Sequence, residues 1–187
     1  MDTARFSGNP RTEWLTDPGP DRDMRLLEPF SFVDPEGRLW EAPAGMEVNG
    51  ASIPRTLWSS VGSPYTGDYR RAAILHDAAI RDPQVVRAEA DAMFYQACLA
   101  AGCAPSQARL LYAGVCLGSW VSRSRPLEHA IAEQLPDAAR LPGEHSLLDL
   151  EVRALYTLLA ADLRDSGDDI DAVRAAVERR LGHAPER

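Results

Sequence analysis

One histidine and two aspartates carry the clearest chemical pattern in this chain: His76, Asp77 and Asp91. His76 and Asp77 stand side by side in a stretch, 69–80, with helical composition. Asp91 stands in a second one, 87–101, whose apolar residues Met93, Phe94, Ala97 and Cys98 recur at helical spacing. Between them Asp82-Pro83 stops the helix, because proline lacks an N–H and forces the residue before it out of the helical region. Two helices joined by so short a turn pack antiparallel. If Ile80 lies beside Arg87 or Ala88, His76 lies beside Asp91. A carboxylate that holds one imidazole nitrogen leaves the other free to act as a base. The same pair also serves in many proteins as a tie between helices, so the spacing supports both uses.

The loop upstream bears on that choice. Asn49-Gly50-Ala51-Ser52-Ile53-Pro54-Arg55 is built from small residues, a glycine and a proline. Glycine lets a backbone approach a ligand closely. Such loops present carbonyls and N–H groups, which hold hard cations and oxyanions. The alternative is a helix-entry loop in which Ser52 caps a short helix over 54–60. Further on, Asp68 is the expected N-cap of the His76 helix.

The elements that must position these groups follow from punctuation and periodicity. The first 23 residues are polar and proline-containing, and read as a mobile or loosely docked arm anchored at Trp14-Leu15. Residues 24–33 pattern as one edge strand with Pro29. The turn Asp34-Pro35-Glu36-Gly37 returns it as a second strand over 38–42, and 46–48 makes a short third. Gly102 ends the Asp91 helix, and Pro105 opens another with Leu110, Leu111, Val115, Leu117 and Trp120 on its apolar face. Gly114 and Gly118, four apart, would let a neighbouring helix come close. Residues 123–145 read as a linker. Over 146–163 an amphipathic helix shows Leu147, Leu150, Leu155, Leu158 and Leu159, and a last helix starts at Asp168 after Gly167. The expected fold is α+β and mainly α: a small N-terminal antiparallel sheet, then a helix hairpin and further helices. The expected units are an arm over 1–23, a core over 24–122, a linker over 123–145 and a helical appendage over 146–187, which offers a surface for a protein partner.

Composition narrows the function classes. A net charge of −8 argues against a general nucleic-acid binder and suits a cation. No apolar run approaches the roughly 20 residues of a membrane span. The N-terminus lacks the pattern of a secretory signal, so a cytoplasmic protein is expected. The three cysteines, Cys98, Cys103 and Cys116, lack metal-ligand spacing and read as buried thiols.

Three stretches, taken in order, resemble one family. They are Val48 to Trp58 with its Asn-Gly-Ala-Ser-Ile-Pro-Arg core, Ala72-Ala73-Ile74-Leu75-His76-Asp77, and Glu89-Ala90-Asp91-Ala92-Met93-Phe94. The family, found in tailed phages, prophages and bacteria, is called domain of unknown function 1353, and the resemblance covers roughly residues 25–120. Asn49 stands where that family usually has Asp, and Ile80 where it often has an aromatic residue. A weaker similarity is to secreted, bacterial and parvoviral phospholipases A2, which share the order of glycine loop, His-Asp helix and Asp helix. It implies His76 as the base, Asp91 as the group that orients it, and Asp77 as a calcium ligand together with Asn49, Gly50 and Ser52. It further implies the Gly50 N–H as an oxyanion donor, Ca2+ as cofactor, and a lipid or another ester as substrate. The cysteines that staple the two helices in secreted enzymes are absent here, and Ile80 replaces the tyrosine that supports the orienting aspartate.

Rival readings use the same residues. A non-enzymatic phage or prophage component would keep His76–Asp91 as a tie and use the C-terminal helices as an interaction surface. A metal phosphohydrolase of the His-Asp type would need more histidines than His129, His145 and His183 supply from their positions. A serine hydrolase would need Ser52 Oγ within reach of the imidazole, and no nucleophile-elbow sequence surrounds it.

Overall fold

The structure is a computed structural model, described here for residues 4–15, 23–50, 52–62, 67–126 and 146–182. The expected linker falls almost wholly outside the described residues, as do His129, His145 and His183. The fold is α+β and mainly α, with two small antiparallel sheets near the N-terminus and six helices among the described residues.

The strands are β1 (Arg5–Phe6), β2 (Thr12–Trp14), β3 (Met24–Leu26), β4 (Phe30–Val33), β5 (Leu39–Ala42) and β6 (Glu47–Val48). One sheet runs β1-β4-β5 and the other β2-β3-β6. The single strand expected over 24–33 is therefore two. The chain breaks around Pro29, which cannot donate to a ladder, and β3 and β4 enter different sheets. The β4–β5 hairpin turns where expected. Asp34 organises it: Oδ1 accepts the N–H groups of Glu36 and Arg38 at 3.1 and 2.8 Å, and Oδ2 accepts Trp40 Nε1 at 2.9 Å. Phe30, Phe32, Trp40 and Ala42 alternate inward on the paired strands.

The N-terminal arm is a correction. Its described part supplies β1 and β2, which pair with β4 and β3. The anchor is Phe6, which stacks on Phe30 at 5.7 Å and packs against Phe32 at 4.8 Å. Trp14, the expected anchor, is 54% exposed.

The helices are α1 (Trp58–Val61), continuing a 3-10 turn at Arg55–Leu57, then α2 (Arg70–Ala79), α3 (Arg87–Ala100), α4 (Pro105–Ser124), α5 (Leu147–Arg164) and α6 (Ile170–Leu181). No helix among the described residues is long and apolar enough to cross a membrane. Neither Ser52 nor Asp68 caps a helix, since the residues before the 3-10 turn and α2 are Pro54 and Tyr69. Gly102 sits at φ 103° just past α3, where a left-handed residue closes the helix. Ser146 and Asp149 form a reciprocal capping box on α5, and Asp169 rather than Asp168 caps α6.

The C-terminal helices share the core of the rest. Val152, Tyr156, Leu159 and Leu163 of α5 and Val173, Ala176 and Val177 of α6 belong to the apolar cluster that also holds Phe32, Phe94 and Leu111. Polar ties reinforce it: Tyr95 Oη donates to the Asp168 carbonyl at 2.7 Å, Arg109 to that of Ser166 at 2.6 Å, and Arg153 Nε to Thr56 Oγ1 at 2.7 Å. An appendage with a separate boundary does not describe this packing. The buried face of α5 also differs from the expected one, because Leu147, Leu150 and Leu158 are 87%, 52% and 45% exposed.

Candidate functional site

α2 and α3 form the antiparallel hairpin that the Pro83 turn dictates. Arg71, early in α2, donates to the carbonyl of Ala101 beyond the end of α3, and His76 meets Asp91 further along. The ring nitrogen Nε2 lies 2.7 Å from Asp91 Oδ1. Both residues are buried, His76 completely, and the imidazole packs against the Phe94 ring at 5.2 Å. The other ring nitrogen, Nδ1, is buried and has no hydrogen-bond partner among the described residues.

Asp91 gathers more than the histidine. Arg87, one turn earlier on α3, donates Nε to the same Oδ1 at 3.0 Å. The Cys116 thiol of α4 approaches Oδ2 at 3.8 Å. Burial by itself raises a carboxyl pKa, but the hydrogen bond and charge of His76, with the Arg87 guanidinium, hold Asp91 below its usual range. Burial likewise pushes the Cys116 thiol well up, with the nearby Asp91 charge adding to it, so this sulfur stays a protonated donor. Sequence reasoning missed both partners. Arg87 was legible as a residue four before an aspartate on a helix. Cys116 was not, because nothing in its local sequence says which helix it faces.

Asp77 turns away from this pair, as adjacent helical residues about 100° apart around the axis do. Its Oδ2 accepts the backbone N–H groups of Asn49 and Gly50 at 3.0 and 2.9 Å. Burial raises its pKa, opposed chiefly by the Gly50 N–H and His76. The loop beyond is held from the other side by α4. A Cβ placed on Gly118 would fall 1.9 Å from the Ser52 carbonyl oxygen, and one on Gly114 would fall 3.3 Å from the Ile53 side chain. The two glycines thus admit the loop and not a helix. Gly50 at φ 92° and Ser52 at φ 40° give the loop its bend.

This geometry bears on three assignments. The Gly50 N–H points at Asp77, so it is not directed at a substrate oxyanion. In the calcium set of Asp77, Asn49, Gly50 and Ser52, two N–H donors take Asp77 Oδ2, and the Ser52 carbonyl faces Gly118. Ser52 Oγ makes no hydrogen bond to the imidazole, whose Nδ1 has no partner among the described residues. Among the described residues, no group of three or more His, Cys, Asp or Glu side chains is placed to hold a metal ion.

Comparison with known proteins extends the picture without naming an activity. The chain is 43% identical over 72 residues to "Uncharacterized protein y4jT" of Sinorhizobium fredii (strain NBRC 101917 / NGR234), 38% of this chain and 21% of that protein. It is 35% identical over 98 residues to "Uncharacterized protein y4iH" of the same organism, 52% of this chain and 41% of that protein. The chain thus spans about a fifth and two fifths of the length of these relatives. No solved structure matches. Residues 24–115, which hold the loop, His76, Asp77 and Asp91, match the family described as "Protein of unknown function (DUF1353)".

Proposed function

We propose that the chain is a hydrolase of ester bonds in which His76 takes the proton of an attacking water and Asp91 orients the ring. The observation that supports this is the asymmetry of the imidazole. Nε2 is held at 2.7 Å by Asp91, while Nδ1 is buried and has no partner among the described residues. In the neutral ring Nε2–H donates to the carboxylate, which leaves the lone pair on Nδ1. Buried polar atoms without partners are rare, and a catalytic role is one of the explanations for them. Water would give a proton to Nδ1 as its oxygen attacks the ester carbonyl, and the same proton would pass to the leaving alkoxide. With the ring fully covered, the reading requires His76 to be uncovered before a lipid or other ester binds. The reading routes no step through calcium.

The full burial of His76 favours a second reading, a non-enzymatic phage or prophage component in which His76–Asp91 is a tie. One experiment separates the two. Hydrolysis of p-nitrophenyl esters and of phospholipid vesicles is measured for the native chain, His76→Ala and Asp91→Asn. A hydrolase shows ester hydrolysis by the native chain that falls about 100-fold or more with His76→Ala, measured at a temperature where the variant stays folded. A tie shows no hydrolysis in the native chain; both substitutions lower the melting temperature under either reading, because a buried partner is stranded, so the activity decides.

A further inference from the structure

The turn between α3 and α4 places two thiols together. α3 closes with both hydrogen bonds of a left-handed helix end. The Gly102 N–H donates to the Leu99 carbonyl at 3.1 Å, and the Cys103 N–H to the Cys98 carbonyl at 3.0 Å. In this closure the residue after the glycine packs its side chain on the residue five before it, and here both are cysteines. The 3.0 Å bond also keeps the two Cα atoms within about 7 Å, the limit beyond which a disulfide cannot close. The two side chains are hydrogen-bonded to each other, and both are free thiols. Cys98 is wholly covered. Cys103 is 5% exposed and sits in the surface turn between Gly102 and Ala104, which are both exposed. The third cysteine, Cys116, faces Asp91 instead.

The pair is asymmetric. The hydrogen bond from Cys98 holds the Cys103 thiol below its usual range, against burial and the Asp68 charge. Burial pushes the Cys98 thiol well up, with Cys103 adding to it. Cys103 is therefore the readier thiolate, the form that attacks sulfur, and Cys98 the protonated donor beside it. We infer that Cys98 and Cys103 form a redox site, a dithiol that a small-molecule disulfide converts to an intrachain disulfide. The Cys103 thiolate attacks one sulfur of the incoming disulfide, whose S–S bond breaks, and the other half leaves as a thiolate. Cys98 then loses its proton and attacks the Cys103 sulfur, expelling the second half. The two cysteines give up two protons and two electrons, and the small disulfide becomes two thiols. The bridge staples the last turn of α3, the helix that carries Asp91, to the entry of α4. Neither thiol takes part in the ester hydrolysis, so the site is independent of that reading.

The full folded chain, incubated with graded mixtures of reduced and oxidised glutathione, tests the site. Each sample is quenched with acid, alkylated under denaturing conditions and weighed by mass spectrometry. In excess oxidised glutathione the chain should become lighter by two hydrogens before alkylation. It should then take one label, on Cys116, where the reduced chain with its three cysteines takes three. Dithiothreitol should restore the other two. Cys98→Ala should stop at a mixed disulfide between Cys103 and glutathione. Cys103→Ser should take up glutathione at least about tenfold more slowly, because Cys98 is covered. The measurement on the native chain needs no variant, so it stands even if a substitution disturbs the fold. Three labels in every mixture overturn the proposal, as does a bridge that includes Cys116 or glutathione retained on the native chain. Equal uptake of glutathione by the two variants overturns the assignment of Cys103 as the attacking thiol.

Discussion

Asp91 and Asp77 are buried within the same helix pair yet respond to acid in opposite senses. The Asp91 pKa is lowered from 3.8 by its partners, so the stability it contributes is present above that value and lost as pH falls through the folded value. The Asp77 pKa is raised by burial, so in the window above 3.8 its effect runs the other way and favours the fold as pH falls. Asp91→Asn is therefore expected to lower unfolding free energy at pH 7 by about 3 kcal/mol, the scale for breaking a buried pair. The deficit relative to the native chain should shrink on going to acid. Urea titrations at several pH values check this, and a deficit that is constant with pH would remove Asp91 from the linkage. His76–Asp91 was legible in the sequence, because a proline turn fixes the register of two short helices. The direction of Asp77 was legible only in part. Helical geometry separates it from His76, but whether a loop turns carbonyls or N–H groups toward it depends on the backbone bend at Gly50 and Ser52, which composition does not specify.

At the scale of elements, two glycines on one face of α4 make unequal predictions. Alanine at 114 meets the buried Ile53 side chain at 3.3 Å, a tight contact that offsets a gain in helix propensity of about 1 kcal/mol, so its melting temperature should change little. Alanine at 118 would collide with the Ser52 backbone carbonyl. Its relief moves the loop that Asp77 holds, and a loss of about 2–3 kcal/mol is expected. Thermal melts of the two variants give the comparison. On α5, Leu159→Ala should lower stability by about 3 kcal/mol, while Leu147→Gln should leave it within about 0.5 kcal/mol, since only the former is buried. The leucine pattern of α5 misled because this helix carries apolar residues on more than one face, and periodicity does not rank them. Tyr156, whose hydroxyl reaches the Leu110 carbonyl at 3.3 Å, marks the face that packs. The N-terminal strands were hidden for a different reason. A two-residue strand such as β1 has no pattern of its own, and it exists because β4 presents an edge far along the chain.

For the whole molecule, the C-terminal helices decide whether the rest folds. A chain ending at Ser124 would uncover the apolar faces that Leu159, Leu163, Val173 and Val177 now close. It would also strand the hydroxyl of Tyr95 without the Asp168 carbonyl. Such a chain is expected to aggregate or to lose its cooperative melt. A soluble product with a sharp transition would restore the boundary read from the sequence. That boundary was drawn from a polar, proline-containing stretch. Such a stretch marks where the chain leaves the core but not whether it returns to the same one.

The shared packing also has a consequence for the matched stretch. The stretch that matches the family stops at residue 115, partway along α4 and well before α5 and α6. In this chain that stretch is not a closed unit of folding, because half of α4 and its covering layer come from outside it. α6, wholly outside that stretch, lays Arg174 and Glu178 beside Asp91, and α5 closes the same core. A change confined to the C-terminal helices is therefore felt at the buried pair that the matched stretch holds.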